Sequence, residues 1–122
     1  MKNQAYRMAM LFDFYGDMLT DRQKEFYDLY YNEDLSLAEI AENYGISRQG
    51  VRDVIVRAEA TLTELEEKTG IIRRFHKTRE QLEDMDKKVE RILELNDRRY
   101  RDNELEELCM ALKSSIGALE EG

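Results

Sequence analysis

Apolar positions recur every three or four residues through most of the chain, the period of helices with one buried side. Residues 1–18 depart from it: Tyr6, Met8, Met10, Leu11, Phe12, Phe14 and Tyr15 nearly encircle a short helix. Such a helix is normally covered on more than one side, so it is expected between other helices or at a subunit contact. Gly16 is the expected left-handed stop after it. Thr20-Asp21-Arg22-Gln23 then forms a capping box, and Phe26, Leu29 and Tyr30 mark the buried side of the helix it opens. Asn32-Glu33-Asp34 breaks that helix. Ser36-Leu37-Ala38-Glu39 is a second capping box, starting a short helix with Ile40 and Ala41 inward. Tyr44-Gly45-Ile46 ends it, and Ser47 caps a third helix from Arg48 to about Lys68. Val51, Ile55, Ala58, Leu62 and Leu65 form the inner face of that third helix.

Thr69-Gly70 is the expected boundary between residues 1–69 and a helical extension, residues 70–122. Beyond it Ile72, Phe75, Leu82, Met85, Val89 and Ile92 trace a stripe that ends near Asn96-Asp97. A last helix carries Leu105, Leu108, Leu112 and Leu119, with Asn103 and Glu106 as a box at its start. Narrow stripes with charged outer faces want a partner. Leu82, Met85, Val89, Ile92, Leu105, Leu108 and Leu112 are therefore the self-association candidates, on a homodimer or by folding back on their own chain.

Composition reinforces the helical reading. The 122 residues include no proline and only six glycines, and good helix formers dominate. The single cysteine, Cys109, cannot form an internal disulfide and is expected to be a buried packing thiol. His76 has no metal ligands at suitable spacing, so no metal or other cofactor is expected. No secretory leader or membrane span is visible, and a cytoplasmic location is expected.

Ser36–Ala58 fits a helix-turn-helix. Leu37, Ile40 and Ala41 face inward on the scaffold helix, Ala41 being small at the crossing. Gly45 supplies the positive-φ turn, and Ile46, Val51 and Val54 or Ile55 close the core. This leaves Ser47, Arg48, Gln49, Arg52, Asp53 and Arg57 outward, where a recognition helix meets the major groove. Arginine can fork onto guanine and glutamine onto adenine, while Ser47 and Arg57 could reach phosphates. Charge opposes this use: 27 acids against 19 bases give a net charge of −8. From Leu19 to Lys68 twelve acids face six bases, and Asp53 and Glu59 stand on the recognition helix itself. A local basic face is therefore required for nucleic-acid binding. Arg73, Arg74, Lys77 and Arg79 around Phe75 are a second candidate, for RNA or another anion. The plainer alternative is the solvated end of a helix whose Phe75 is core. Dispersed carboxylates, one histidine and the absence of a glycine-rich phosphate loop give no catalytic constellation, and no enzyme is expected.

Leu19-Thr20-Asp21-Arg22-Gln23, Leu35 to Glu42 and Gly45-Ile46-Ser47 resemble region four of bacterial sigma factors, which reads the promoter −35 element. More closely, Leu11 to Gly16, Leu29-Tyr30-Tyr31, Glu33 to Leu37 and Ser47-Arg48-Gln49 resemble the YlxM family, over roughly residues 5–68. The resemblance implies an all-α, sigma region-four-like helix-turn-helix bundle, winged-helix-like in class, with an N-terminal helix and a C-terminal helical extension. It also implies a regulator from low-GC Gram-positive bacteria, encoded beside the signal recognition particle GTPase. Ser47, Arg48, Gln49, Asp53 and Arg57 match the family's recognition-helix pattern. Gly50, Arg52, Val54 and Val56 depart from it, where alanine, an aromatic and polar residues are expected. Two functions follow as expectations. One is a DNA-binding regulator whose dimer sets two recognition helices one duplex turn apart. The other is an interaction module for the particle's GTPase or RNA, without sequence-specific DNA binding.

Overall fold

The computed structural model describes residues 5–121. Its helices are α1 (Ala5–Tyr15), α2 (Asp21–Tyr31), α3 (Leu37–Tyr44), α4 (Arg48–Thr69), α5 (Ile71–Leu95) and α6 (Asn103–Glu121). A 3-10 turn, Gly16–Met18, follows α1, and a π turn, Asn96–Tyr100, follows α5. Among the described residues no strand occurs, so the protein is all-α and the winged-helix-like part of the expectation falls away. The chain forms two compact units that divide between Ile72 and Arg73.

The first unit is built on local stop and start signals. Thr20 accepts from the Gln23 amide while the Gln23 side chain accepts from the Thr20 amide, and Ser36 and Glu39 repeat the exchange. Each box satisfies two amides that the first turn of a helix leaves unpaired. Gly45 ends α3 at φ 65°, and the Ile46 amide closes back on the Ala41 carbonyl at 3.1 Å. Gly16 corrects the expectation. It is not in a left-handed conformation but opens the 3-10 turn, with the Phe12 ring so close that a Cβ would lie 3.3 Å from it.

Two apolar clusters hold these helices. Phe26, Tyr30, Ile40, Ala41, Val51 and Ile55 join α2, α3 and α4. Met8, Leu11, Tyr15, Leu19, Tyr27, Ala58, Leu62 and Ile72 pack α1 and the start of α5 against α2 and α4. α1 is thus covered by other helices of its own unit, as its encircling apolar residues predict. On α2, Tyr27 is fully buried and Leu29 only partly so, because α1 lies over the side that the Phe26-Leu29-Tyr30 stripe leaves open.

The second unit is a hairpin of α5 and α6. Leu82, Val89, Cys109 and Ile116 form its seam, with Leu93 and Leu105 packed alongside. Buried Asn96 holds the turn: its Nδ2 donates to the Asp102 carbonyl and its Oδ1 accepts from the Asp102 amide, each at 3.0 Å. Asp102, rather than Asn103, caps α6 by accepting from the Leu105 amide at 3.0 Å. Of the self-association candidates, Leu82 and Val89 are buried in the chain's own hairpin and Leu105 is partly buried beside them. Cys109 is the buried packing thiol the sequence predicts.

Candidate nucleic-acid interface

α3, the Gly45 turn and α4 form the site's frame. Ala41 and Val51 belong to one cluster, so the two helices cross closely, and Ile55 one turn further is fully buried. Because residues three and four apart share a helix face, fixing Val51 and Ile55 inward turns the intervening positions out. Ser47 accepts from the Gly50 amide at 3.0 Å, which starts α4 where the first outward side chains are needed.

Arg48, Arg52 and Arg57 are exposed, the first two on successive turns of α4. Among the described residues none of the three makes an ion pair, so their guanidinium groups have their donors available. Gln49 is different. Its Nε2 donates to Asp53 Oδ1 at 2.9 Å, so the amide expected to read adenine is occupied by the acid one turn on. Val56 is exposed on the same outward half of the helix.

Glu59 keeps its charge but points elsewhere than the sequence suggests. The sequence sets it where a duplex would bring phosphates, but its carboxylate is turned to α2 and accepts from the Tyr31 hydroxyl at 2.5 Å. Burial first, and then this carboxylate, push the Tyr31 phenol well above its ordinary range. Glu66 is engaged in the same way, accepting from the Tyr15 hydroxyl at 2.6 Å and from the Ile72 amide at 3.0 Å. Tyr44 likewise donates to Glu25, and Glu39 serves its own capping box. Several of these acids are thus structural acceptors that keep their negative charge, and Asp53 is the one acid within the arginine-bearing half of α4. Paired tyrosines and glutamates on different helices carry no local spacing signal, so the sequence does not reveal these bonds.

Arg73, Arg74, Lys77 and Arg79 lie exposed on the first turns of α5, in the second unit. Phe75 is half-buried, and the Arg79 guanidinium stands 5.6 Å from its ring centre. The aromatic of this run is thus covered rather than presented flat for stacking on a base. No described helix is long and apolar enough to cross a membrane.

A capped scaffold helix, a left-handed glycine turn and a second helix with an arginine-bearing outer face define a helix-turn-helix protein. A family model described as "Putative helix-turn-helix protein, YlxM / p13 like" matches residues 2–108, and the chain belongs to this family, UPF0122. A UPF0122 protein of Thermoanaerobacter sp. (strain X514) is 41% identical over 112 residues, covering 92% of each chain. A relative from Halalkalibacterium halodurans is 44% identical over 91 residues, covering 75% of this chain and 84% of its own. One from Desulforamulus reducens is 51% identical over 72 residues, 59% of this chain and 62% of the relative.

Proposed function

We propose that the protein is a non-enzymatic, cytoplasmic regulator that binds duplex DNA with the first half of α4 in the major groove. The observation that carries this is that Arg48 and Arg52, on successive turns of one side of α4, and Arg57, on the opposite flank, are all exposed and make no ion pair among the described residues. Arg48 and Arg52 are the base-contacting residues, and Ser47 and Arg57 meet phosphates. Gln49 contributes only when it exchanges Asp53 for a base edge. Membership in a helix-turn-helix family supports the reading. The resemblance to YlxM proteins supports the signal recognition particle pathway as the process regulated.

The acidic surplus and the Gln49–Asp53 bond favour a second reading, in which the helix-turn-helix is a scaffold. The partner would then be a basic surface, such as the particle's GTPase or its assembly on RNA, with Arg73, Arg74, Lys77 and Arg79 as the residues for RNA.

Binding to random duplex DNA and to the particle RNA, measured across a salt series, separates the two. Each phosphate neutralised contributes a slope of about −0.9 in log affinity against log salt, so the one cationic phosphate contact, Arg57, gives about −0.9 per module on duplex DNA. Absence of duplex binding at low salt overturns the DNA reading, and capture of the purified GTPase in the same experiment favours the second.

A further inference from the structure

Val56 is an apolar side chain outside both cores of the first unit. It is 38% exposed and belongs to neither cluster, whereas Val54 packs against the cluster that holds Ile55. A β-branched residue is also a poorer helix former than the straight-chain residues a solvent-facing position allows. Its neighbours three and four positions away on the outward side are Asp53, Arg52 and Ala60, themselves exposed. At about 100° per residue, Val56 lies about 80° round α4 from Arg48 and about 100° from Arg57, midway between the two flanks. A rise of about 1.5 Å per residue puts it about 12 Å along the axis from Arg48, still within the span of a major groove.

A helix held in the groove by arginines on both flanks turns the side chain between them toward the base edges. An apolar group set there against a polar edge would strip water from it and return no hydrogen bond. The C5 methyl group of thymine is the apolar feature of the major-groove edges. We propose that Val56 is a specificity-determining residue that packs its methyl groups on a thymine of the bound duplex. Arg52 lies one helical turn earlier, about 6 Å along the axis, and base pairs are stacked about 3.4 Å apart. The thymine is therefore no more than about two base pairs from the guanine that Arg52 contacts. This assignment rests on the reading of α4 as a DNA-binding helix and adds a base to what that helix recognises.

The test starts with the full chain selecting duplexes from a random-sequence pool at low salt. The enriched duplex is then made with deoxyuridine in place of each thymidine in turn, which deletes the methyl group and leaves the hydrogen-bonding edge as it was. At one thymidine the exchange weakens binding about fourfold, the effect of one buried methyl group. Val56→Ser binds the thymidine and deoxyuridine duplexes equally, and its helical content by circular dichroism is unchanged because the position is exposed. Arg57→Ala weakens binding to both duplexes alike and keeps the fourfold ratio, as loss of a phosphate contact should. A chain that enriches no duplex overturns the DNA reading and this assignment with it. An enriched motif without thymine overturns the assignment alone, as does indifference to every deoxyuridine or a ratio that survives Val56→Ser.

Discussion

The Tyr27 hydroxyl donates to the main-chain carbonyl of Met8 at 2.6 Å, in the buried layer between α2 and α1. The same ring stacks on Phe12 with centres 5.3 Å apart and planes 8° from parallel. A helix that is apolar on most sides has little to fix its rotation, since many packings bury similar area. One directed bond from the core selects among them. Tyr27→Phe keeps the ring and removes the bond, and is expected to cost about 1 kcal/mol. Tyr27→Ala also empties the layer and costs about 3–5 kcal/mol. Urea unfolding measures both, and a Phe variant as stable as the parent would deny the bond its orienting role.

Gly45 and Gly50 flank the same turn yet respond differently to alanine. At Gly45 a Cβ would meet nothing within 4 Å, so the cost is conformational alone: about 1–2 kcal/mol for a non-glycine residue at φ 65°. Gly45→Asn costs less, because asparagine visits this region more readily. At Gly50 alanine gains up to about 1 kcal/mol of helix preference, but its Cβ falls 3.2 Å from the Ser47 Oγ that caps the Gly50 amide. Gly50→Ala is therefore expected to change stability by less than about 0.5 kcal/mol, the displaced cap offsetting the propensity. Thermal melts of the three variants check the order.

The features legible in the sequence are those that need only near neighbours. Thr20 with Gln23, Ser36 with Glu39, Ser47 as a cap and Gly45 as a turn are local exchanges, readable at fixed spacing. The inner row Val51, Ile55, Ala58 and Leu62 follows from period alone. Tyr27 and Gly16 were not legible, since α1 lying across α2 buries the first, and the Phe12 ring crowds the second. In the C-terminal hairpin Leu82, Met85, Val89 and Ile92 read as one stripe. A single antiparallel partner covers only the Leu82 and Val89 row, and the stripe divides into a seam and an open side. For the site, the outward arginines were legible from helix geometry. The inward turn of Glu59 was not, because its cause is a tyrosine on another helix.

Alkaline pH tests the tyrosine layer. Burial raises the phenols of Tyr15, Tyr27 and Tyr31 above the ordinary value of 10.0, with Glu66 adding to the first and Glu59 to the others. In the unfolded chain these groups ionise near that ordinary value, while in the fold they ionise only at higher pH. The stability they contribute is thus fully present below pH 10 and is lost as pH rises beyond it. Urea midpoints are expected to fall between about pH 9 and pH 11. Tyrosinate absorbance from part of the seven tyrosines should appear only as the chain unfolds. A titration in which all seven ionise together near pH 10 with the helices intact would contradict the burial argument.

Neighbouring residues on α4 give opposed predictions for nucleic acid. Arg52 is exposed, without an ion pair among the described residues, and one turn from Arg48, so Arg52→Glu removes a guanidinium and adds a charge that phosphates repel. Losing one forked base contact costs about 1–3 kcal/mol, so a gel shift of the recognised duplex is expected to weaken by about fivefold to a hundredfold. Asp53→Asn acts the other way. It removes the one acid in this half of the helix and turns the Gln49–Asp53 bond from a charge-assisted into a neutral one, so the Gln49 amide exchanges more readily for a base edge. Duplex affinity should rise severalfold, most at low salt where the lost repulsion is least screened. Unchanged binding in both variants would mean that the outer face of α4 is not where DNA docks.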